Sequence, residues 1–320
     1  MNTYKWLLKR EFWEHKGGFF WTPAVVGALM TLFLAISMTI GVTVKNKHGM
    51  QINGEQVTSL SKVVSPEQKV KIVNAISEGY IGTSAPLWFV MAFVVFFFCL
   101  GCLFDERKDR SVLFWKSLPV SDGETVISKA LMALVGAPLI TFGFAMVVSV
   151  LALLIICAGA AISGLNLFGA VLASPAVYTA PFLVLGLLPV YLVWALPTVG
   201  WLMMVSSWAR TKVFLWAVGV PVLGAVLLTW FNAMFDFNWD VQWFWKNIVA
   251  RGLLSVVPGA WFGFVDPQGH MEVHDGHLDF GNIVAASYQT LASANAWIGA
   301  VLGVAMIYVA ARIRRWKDEG

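Results

Sequence analysis

The sequence predicts an all-α integral membrane protein with six transmembrane helices. Composition and one pattern carry that expectation. Of 320 residues, 58% are hydrophobic and only 12% charged, with a mean hydropathy of +0.73, whereas a soluble domain is about one-quarter charged. A helix needs about 20 apolar residues to cross about 30 Å of hydrocarbon. Six stretches qualify: roughly 19–44, 86–104, 128–157, 177–208, 213–235 and 293–311. None contains Asp, Glu, Lys, Arg or His, apart from Lys129 at one end.

Residues 1–18 precede the first span. In "MNTYKWLLKREFWEHK", Tyr4, Leu7, Leu8 and Phe12 fall at helical spacing, with Lys5, Lys9 and Lys16 elsewhere on the circumference. That pattern predicts an amphipathic helix lying on the membrane surface. Mixed charges, aromatics and the lack of a small-residue cleavage site speak against a signal peptide. After the first span comes a polar loop, 45–85, in which "SPEQKVKIVNAISEGY" reads as a short helix. Ser65 and Gln68 fit a capping box there and Pro66 the first helical position.

The second span ends in six consecutive charges, Asp105 to Arg110. Placing them in the bilayer would cost about 15 kcal/mol at about 2.5 kcal/mol each, so they open a loop, 105–127. Glu106 and Arg110 stand at i, i+4 helical spacing. Val112, Phe114, Trp115 and Leu118 then make a short apolar surface, and Pro119 stops the helix. Ser121 and Glu124 form a capping box that starts the third span. The expected result is a short transverse helix clamped between two membrane helices, able to act as a lever if gripped. The plain alternative is a helix resting on lipid headgroups.

The third and fourth spans join through the nearly uncharged "AGAAISGLNLFGAVLASP". Within the fourth, Trp194, Trp201 and Trp208 recur every seven residues, and Pro181, Pro189 and Pro197 every eight, which predicts kinks. The tryptophans read either as one wall of a translocation path, with Pro197, or as packed and lipid-facing aromatics. Residues 236–292 are a long mixed loop. "DVQWFWKNIVARGLLSVV" suits an interfacial amphipathic helix or a segment that dips into the membrane and returns. Beyond it, His270, His274 and His277, with Asp266, Glu272, Asp275 and Asp279, form a set that could hold Zn or Cu, although polar loops collect such residues without purpose. In the last span Gly299 and Gly303 make GxxxG beside Ala292, Ala296 and Ala300. Such small residues suit close helix packing, within the chain or at a dimer face.

Orientation follows from Lys and Arg. Of 22, 15 fall in the two tails and the odd-numbered connections, and the excess belongs in the cytoplasm, which places both termini there. Trp21, Trp88, Trp208, Trp216, Trp230 and Trp297 sit near predicted span ends, as interfacial rings do. Spans without ionisable groups weigh against a proton-coupled carrier and an intramembrane hydrolase. The chain contains no G-x-x-x-x-G-K-[ST] and no Gly-Lys dipeptide at all, so any ATP-driven work needs a partner. Cys99, Cys102 and Cys157 lie in apolar runs and read as small buried residues. A net charge of +4 gives no reason to expect nucleic acid.

The N-terminal "LLKREFWEHK", the segment "CLFDERKDRSVLFWKSLPVSDGETVISKAL" and the six-span plan resemble permease subunits of the type-2 ATP-binding-cassette (ABC) exporter family. "LPVS" followed by the basic Lys129 is the most specific part. Where the family has a small-residue turn after the acidic residue, this chain has Asp109-Arg110-Ser111. The resemblance implies a cytoplasmic elbow helix, to which Leu7, Leu8, Glu11 and Phe12 belong. It implies a coupling helix in which Glu106, Arg110, Val112, Phe114, Trp115, Leu118 and Pro119 would meet an ATPase. It further implies two ATPase subunits carrying ATP and Mg, a second permease chain as homo- or heterodimer, no cofactor on this chain, and an inner-membrane location. It also implies a re-entrant pair at 240–264, turning at Pro258 and Gly259. The expected function is therefore the membrane subunit of an exporter, with a charge-free path suited to apolar or amphipathic cargo. The alternatives are an ion-coupled transporter or channel that works without an ATPase, and a scaffold or enzyme using the 236–292 loop.

Overall fold

The computed structural model describes residues 3–48, 50–52, 55–57, 64–109, 120–265 and 280–316. Among these, six helices are long and apolar enough to cross a membrane: Gly17–Val44, Pro66–Lys108, Asp122–Ile162, Pro175–Trp208, Leu215–Phe235 and Ala294–Trp316. The chain is a multi-pass, all-α membrane protein. One short antiparallel ladder departs from the expected helix-only plan: Met50–Ile52 pairs with Glu55–Val57, Gln51 opposite Gln56. Three residues per strand give too little alternation to be read from sequence.

Local chemistry sets the helix starts. Both expected capping boxes form. Ser65 Oγ accepts from Gln68 N while Gln68 Oε1 accepts from Ser65 N, and Ser121 and Glu124 do the same at the third span. Each satisfies donors that a bare helix end would leave open, at about 1 kcal/mol per cap. Prolines shape the spans. Wide π-turns occur at Gly17–Trp21, Met132–Gly136 and Leu215–Gly219, each two residues before a proline, Pro23, Pro138 and Pro221. A proline ring collides with the carbonyl four residues back and donates no hydrogen bond, and one surplus residue in the turn ahead relieves the clash. The fourth span breaks at Leu187, between helices Pro175–Gly186 and Leu188–Trp208, and Pro189 starts the second piece.

The fourth span is the hub. Its Val190, Trp194, Val199, Leu202 and Met203 are buried in the main core together with Val95 and Cys99 of the second span and Ala133 of the third. The fourth and sixth spans touch backbone to backbone. A Cβ on Gly200 would overlap the carbonyl of Gly303, and one on Gly303 would overlap that of Leu196. Gly303 is thus spent on packing inside the chain. The first and fifth spans are peripheral, and Leu29, Phe33, Leu223 and Leu227 bare their side chains. In water that would be a severe cost. In a bilayer lipid tails cover it.

At the far end from Arg314, a second core joins Tyr80 and Ile81 to Leu153, Leu167 and Val171. Tyr80 Oη donates to Val177 O at 2.7 Å. The helix Pro66–Gly79 therefore caps the connection between the third and fourth spans. The segment after the fifth span turns back along it. Trp245 Nε1 donates to Thr229 Oγ1 at 3.1 Å, and Val249 and Leu253 share a core with Ala225. A turn with Gly259 at φ +87° leads into Trp261–Phe264.

Candidate functional site

The helix Thr3–Glu14 buries Leu7 completely and packs Leu8 and Phe12 against the main core, whereas Tyr4 is exposed. Glu11 lies one turn after Leu7 on the same inward face and is 0% exposed. A carboxylate stays there only if it is paired. Its partner is Lys129, 118 positions later and 1% exposed, with Nζ 2.8 Å from Glu11 Oε2. The same ammonium lies 2.9 Å from Glu106 Oε1. The other oxygen of Glu106 accepts from Arg314 Nη1, and Arg314 Nε reaches Asp122 Oδ1 at 3.1 Å. Arg10 pairs with Glu11 and approaches Glu14 at 3.7 Å and Glu106 at 3.6 Å.

Four segments are thereby tied: the N-terminal helix, the end of the second span, the start of the third and the end of the sixth. Arg107 adds the fourth span. Its guanidinium donates to Ser206 O at 2.6 Å and Ala209 O at 2.9 Å, a cation on the carbonyl end of a helix. Where the second span bends, the freed N–H groups of Leu103 and Phe104 donate to Ser206 Oγ at 3.2 and 3.1 Å. Burial pushes the Glu14 carboxyl above the ordinary carboxylate range, and Arg10 partly offsets that. Among the described residues one trio offers metal-type ligand atoms close together, Glu11, Glu14 and His15. Glu11 is already committed to Lys129 and Arg10, and His15 lies edge-on to Phe98 at 4.8 Å. The trio belongs to the ionic base.

This base brackets the 105–127 loop. Glu106 enters it, Asp122 leaves it, and the single guanidinium of Arg314 binds both. Arg110, Val112, Phe114, Trp115, Leu118 and Pro119 lie outside the described residues, as do His270, His274 and His277. The sequence offered Glu106 and Glu11 as site residues and marked Lys129 as the basic residue of the resemblance after LPVS, but it gave no role to Arg314 and no partner to Lys129.

The tryptophans of the fourth span divide. Trp194 is fully buried: Nε1 donates to Thr290 Oγ1 at 3.0 Å, and the ring stacks on Phe264 with centroids 5.8 Å apart. It faces packed protein, not an open path. Trp201 donates to Ala217 O at 2.9 Å and, with Pro197, borders a cavity. Trp208 meets Trp216 edge to face. The buried interior also holds a charge that comes from outside the six spans. Arg251, carried in by the turned-back segment, is buried over the ring of Trp194, its Cζ 4.9 Å from the centroid. Gly299 makes room for it, since a Cβ there would overlap the guanidinium. No sequence pattern marked Arg251, because it sits in a stretch that reads equally well as an interfacial loop.

No family model matches this chain, and the comparisons with curated proteins and with solved structures found no match.

Proposed function

We propose that this chain is the permease subunit of an ABC exporter in the cytoplasmic membrane, with both termini in the cytoplasm. It pairs with a second permease chain, and a separate ATPase, in two copies, supplies the energy. The observation that carries this reading is the double grip of Arg314 on Glu106 and Asp122. Two roots locked to each other and to the last span give firm anchorage to whatever pulls on the chain between them. Force applied at 111–118 then passes at once to the second, third and sixth spans, and through Lys129 to the N-terminal helix. A headgroup-resting loop needs no such root. The lack of any nucleotide-binding motif makes an outside engine necessary for ATP-driven work, and the sequence resemblance supplies its kind.

The test is co-purification of this chain with a candidate ABC ATPase subunit from the same cell. Phe114→Asp and Trp115→Ala should each weaken the complex by about 2 kcal/mol, roughly thirtyfold, as loss of a central aromatic anchor does. Stimulated ATP hydrolysis should fall with it. Unchanged co-purification and hydrolysis would remove the lever, and ion-gradient-driven transport by the chain alone would establish the secondary-transporter reading instead.

A further inference from the structure

Among the described residues Arg251 is a cation without a counter-ion. No carboxylate pairs with it among the described residues, although it is 5% exposed. Its Nη1 donates to Asn295 Oδ1, and Nη2 to the carbonyls of Asn295 and, at 3.3 Å, Ala296. Those acceptors are neutral. Asn295 is held in place by its own bond to Asn247 Oδ1 at 3.1 Å. The buried Nε of Arg251 has no acceptor at all. A buried charge is costly unless paired, and a buried donor left unmade costs further. The chain nevertheless builds a place for it, with Gly299 cleared of a side chain and Trp194 beneath.

Arg251 lines a cavity of about 320 Å³ whose other walls include Trp201, Trp243, Ile298, Leu302 and Met306. Trp243, Ile298 and Leu302 are also exposed on the outer apolar surface of the bundle. A cavity with a guanidinium that no described carboxylate neutralises inside, and a greasy rim outside, is complementary to an anionic amphiphile entering from the side. We infer that this cavity binds an anionic lipid, with a phosphate or carboxylate oxygen on Arg251 and an alkyl chain lying along Ile298 and Leu302. The lipid is favoured over a free anion because the rim is apolar and the cavity holds little more than a headgroup. Binding here needs no ATPase, so its failure would leave the transporter reading standing, and the reverse holds.

The experiment is native mass spectrometry of the full chain in detergent, titrated with phosphatidic acid and with a diacylglycerol of the same chains. The wild type should retain one phosphatidic acid and little diacylglycerol. Arg251→Gln should weaken phosphatidic acid binding by about tenfold or more, the loss expected for a charge-assisted bond. Leu302→Trp fills the cavity from an exposed position, leaves the guanidinium untouched and should weaken binding as much, so it carries the test alone if Arg251→Gln does not fold. Equal binding by wild type and Leu302→Trp, equal binding of the diacylglycerol, or displacement by inorganic phosphate alone would overturn the assignment.

Discussion

Lys129→Met will destabilise the folded chain by about 3–5 kcal/mol, the range for removing one partner of a buried ion pair. The methionine fills similar volume, so the loss is not one of packing. It comes from Glu11 and Glu106, both left facing the gap where one ammonium now lies 2.8 and 2.9 Å from their oxygens. Arg10 still pairs with Glu11 and Arg314 with Glu106, but each also serves a second carboxylate, Glu14 at 3.7 Å and Asp122 at 3.1 Å, so neither replaces the ammonium. The measurement is thermal unfolding in detergent, followed by size-exclusion recovery of monodisperse protein. Adding Glu11→Gln to Lys129→Met should recover part of the loss, since it removes a buried charge that lost one of its two cationic partners. Absence of any recovery would mean that Lys129 acts through shape alone. Lys129→Arg should not substitute, because a wider fork has no space at a site that is 1% exposed.

Gly303→Val is the second large effect. Ordinary overpacking costs about 1–3 kcal/mol because side chains shift. Here the obstacle is the carbonyl of Leu196, part of a helix backbone that cannot swing aside. The cost should reach about 3 kcal/mol or more, seen as loss of folded protein on solubilisation. Gly143→Ala and Gly224→Ala are the controls. Both lie in membrane helices with nothing within 4 Å of an added Cβ, and both should be tolerated. If Gly303→Val matches them, the fourth and sixth spans do not touch as described.

What the sequence made legible were features written locally. The six spans follow from twenty-residue apolar runs, and both capping boxes from a Ser-x-x-Gln or Ser-x-x-Glu spacing at helix starts. Of the three prolines that announced kinks in the fourth span, Pro189 stands at a break while Pro181 and Pro197 lie within helices, and the wide turns ahead of Pro23, Pro138 and Pro221 carried no mark in the sequence. What stayed hidden were meetings between distant segments. Glu11 and Lys129 are 118 positions apart, and although each was marked within its own segment, nothing in the sequence joined them. Arg314 looked like one more cytoplasmic basic residue, when it binds both roots of a loop 192 and 208 positions away. The GxxxG of the last span was legible as a close approach, but its partner was not, and its two glycines turn out to do different things. Gly303 admits a helix backbone and Gly299 admits a guanidinium. Arg251 itself was hidden by its surroundings, since an amphipathic stretch has the same pattern on a membrane surface as on a bundle.

The wide turn at Met132–Gly136 has one more effect. Every residue inserted into a helix rotates all that follows by about 100°. That surplus position therefore sets the angular phase between the two halves of the third span. The lower half aims Lys129 at the carboxylates, while the upper half aims Ala145 and Val148 at Leu87. Without it, one half would have to face the wrong way, so a lone proline at 138 indirectly fixes the compass bearing of an ammonium nine residues upstream.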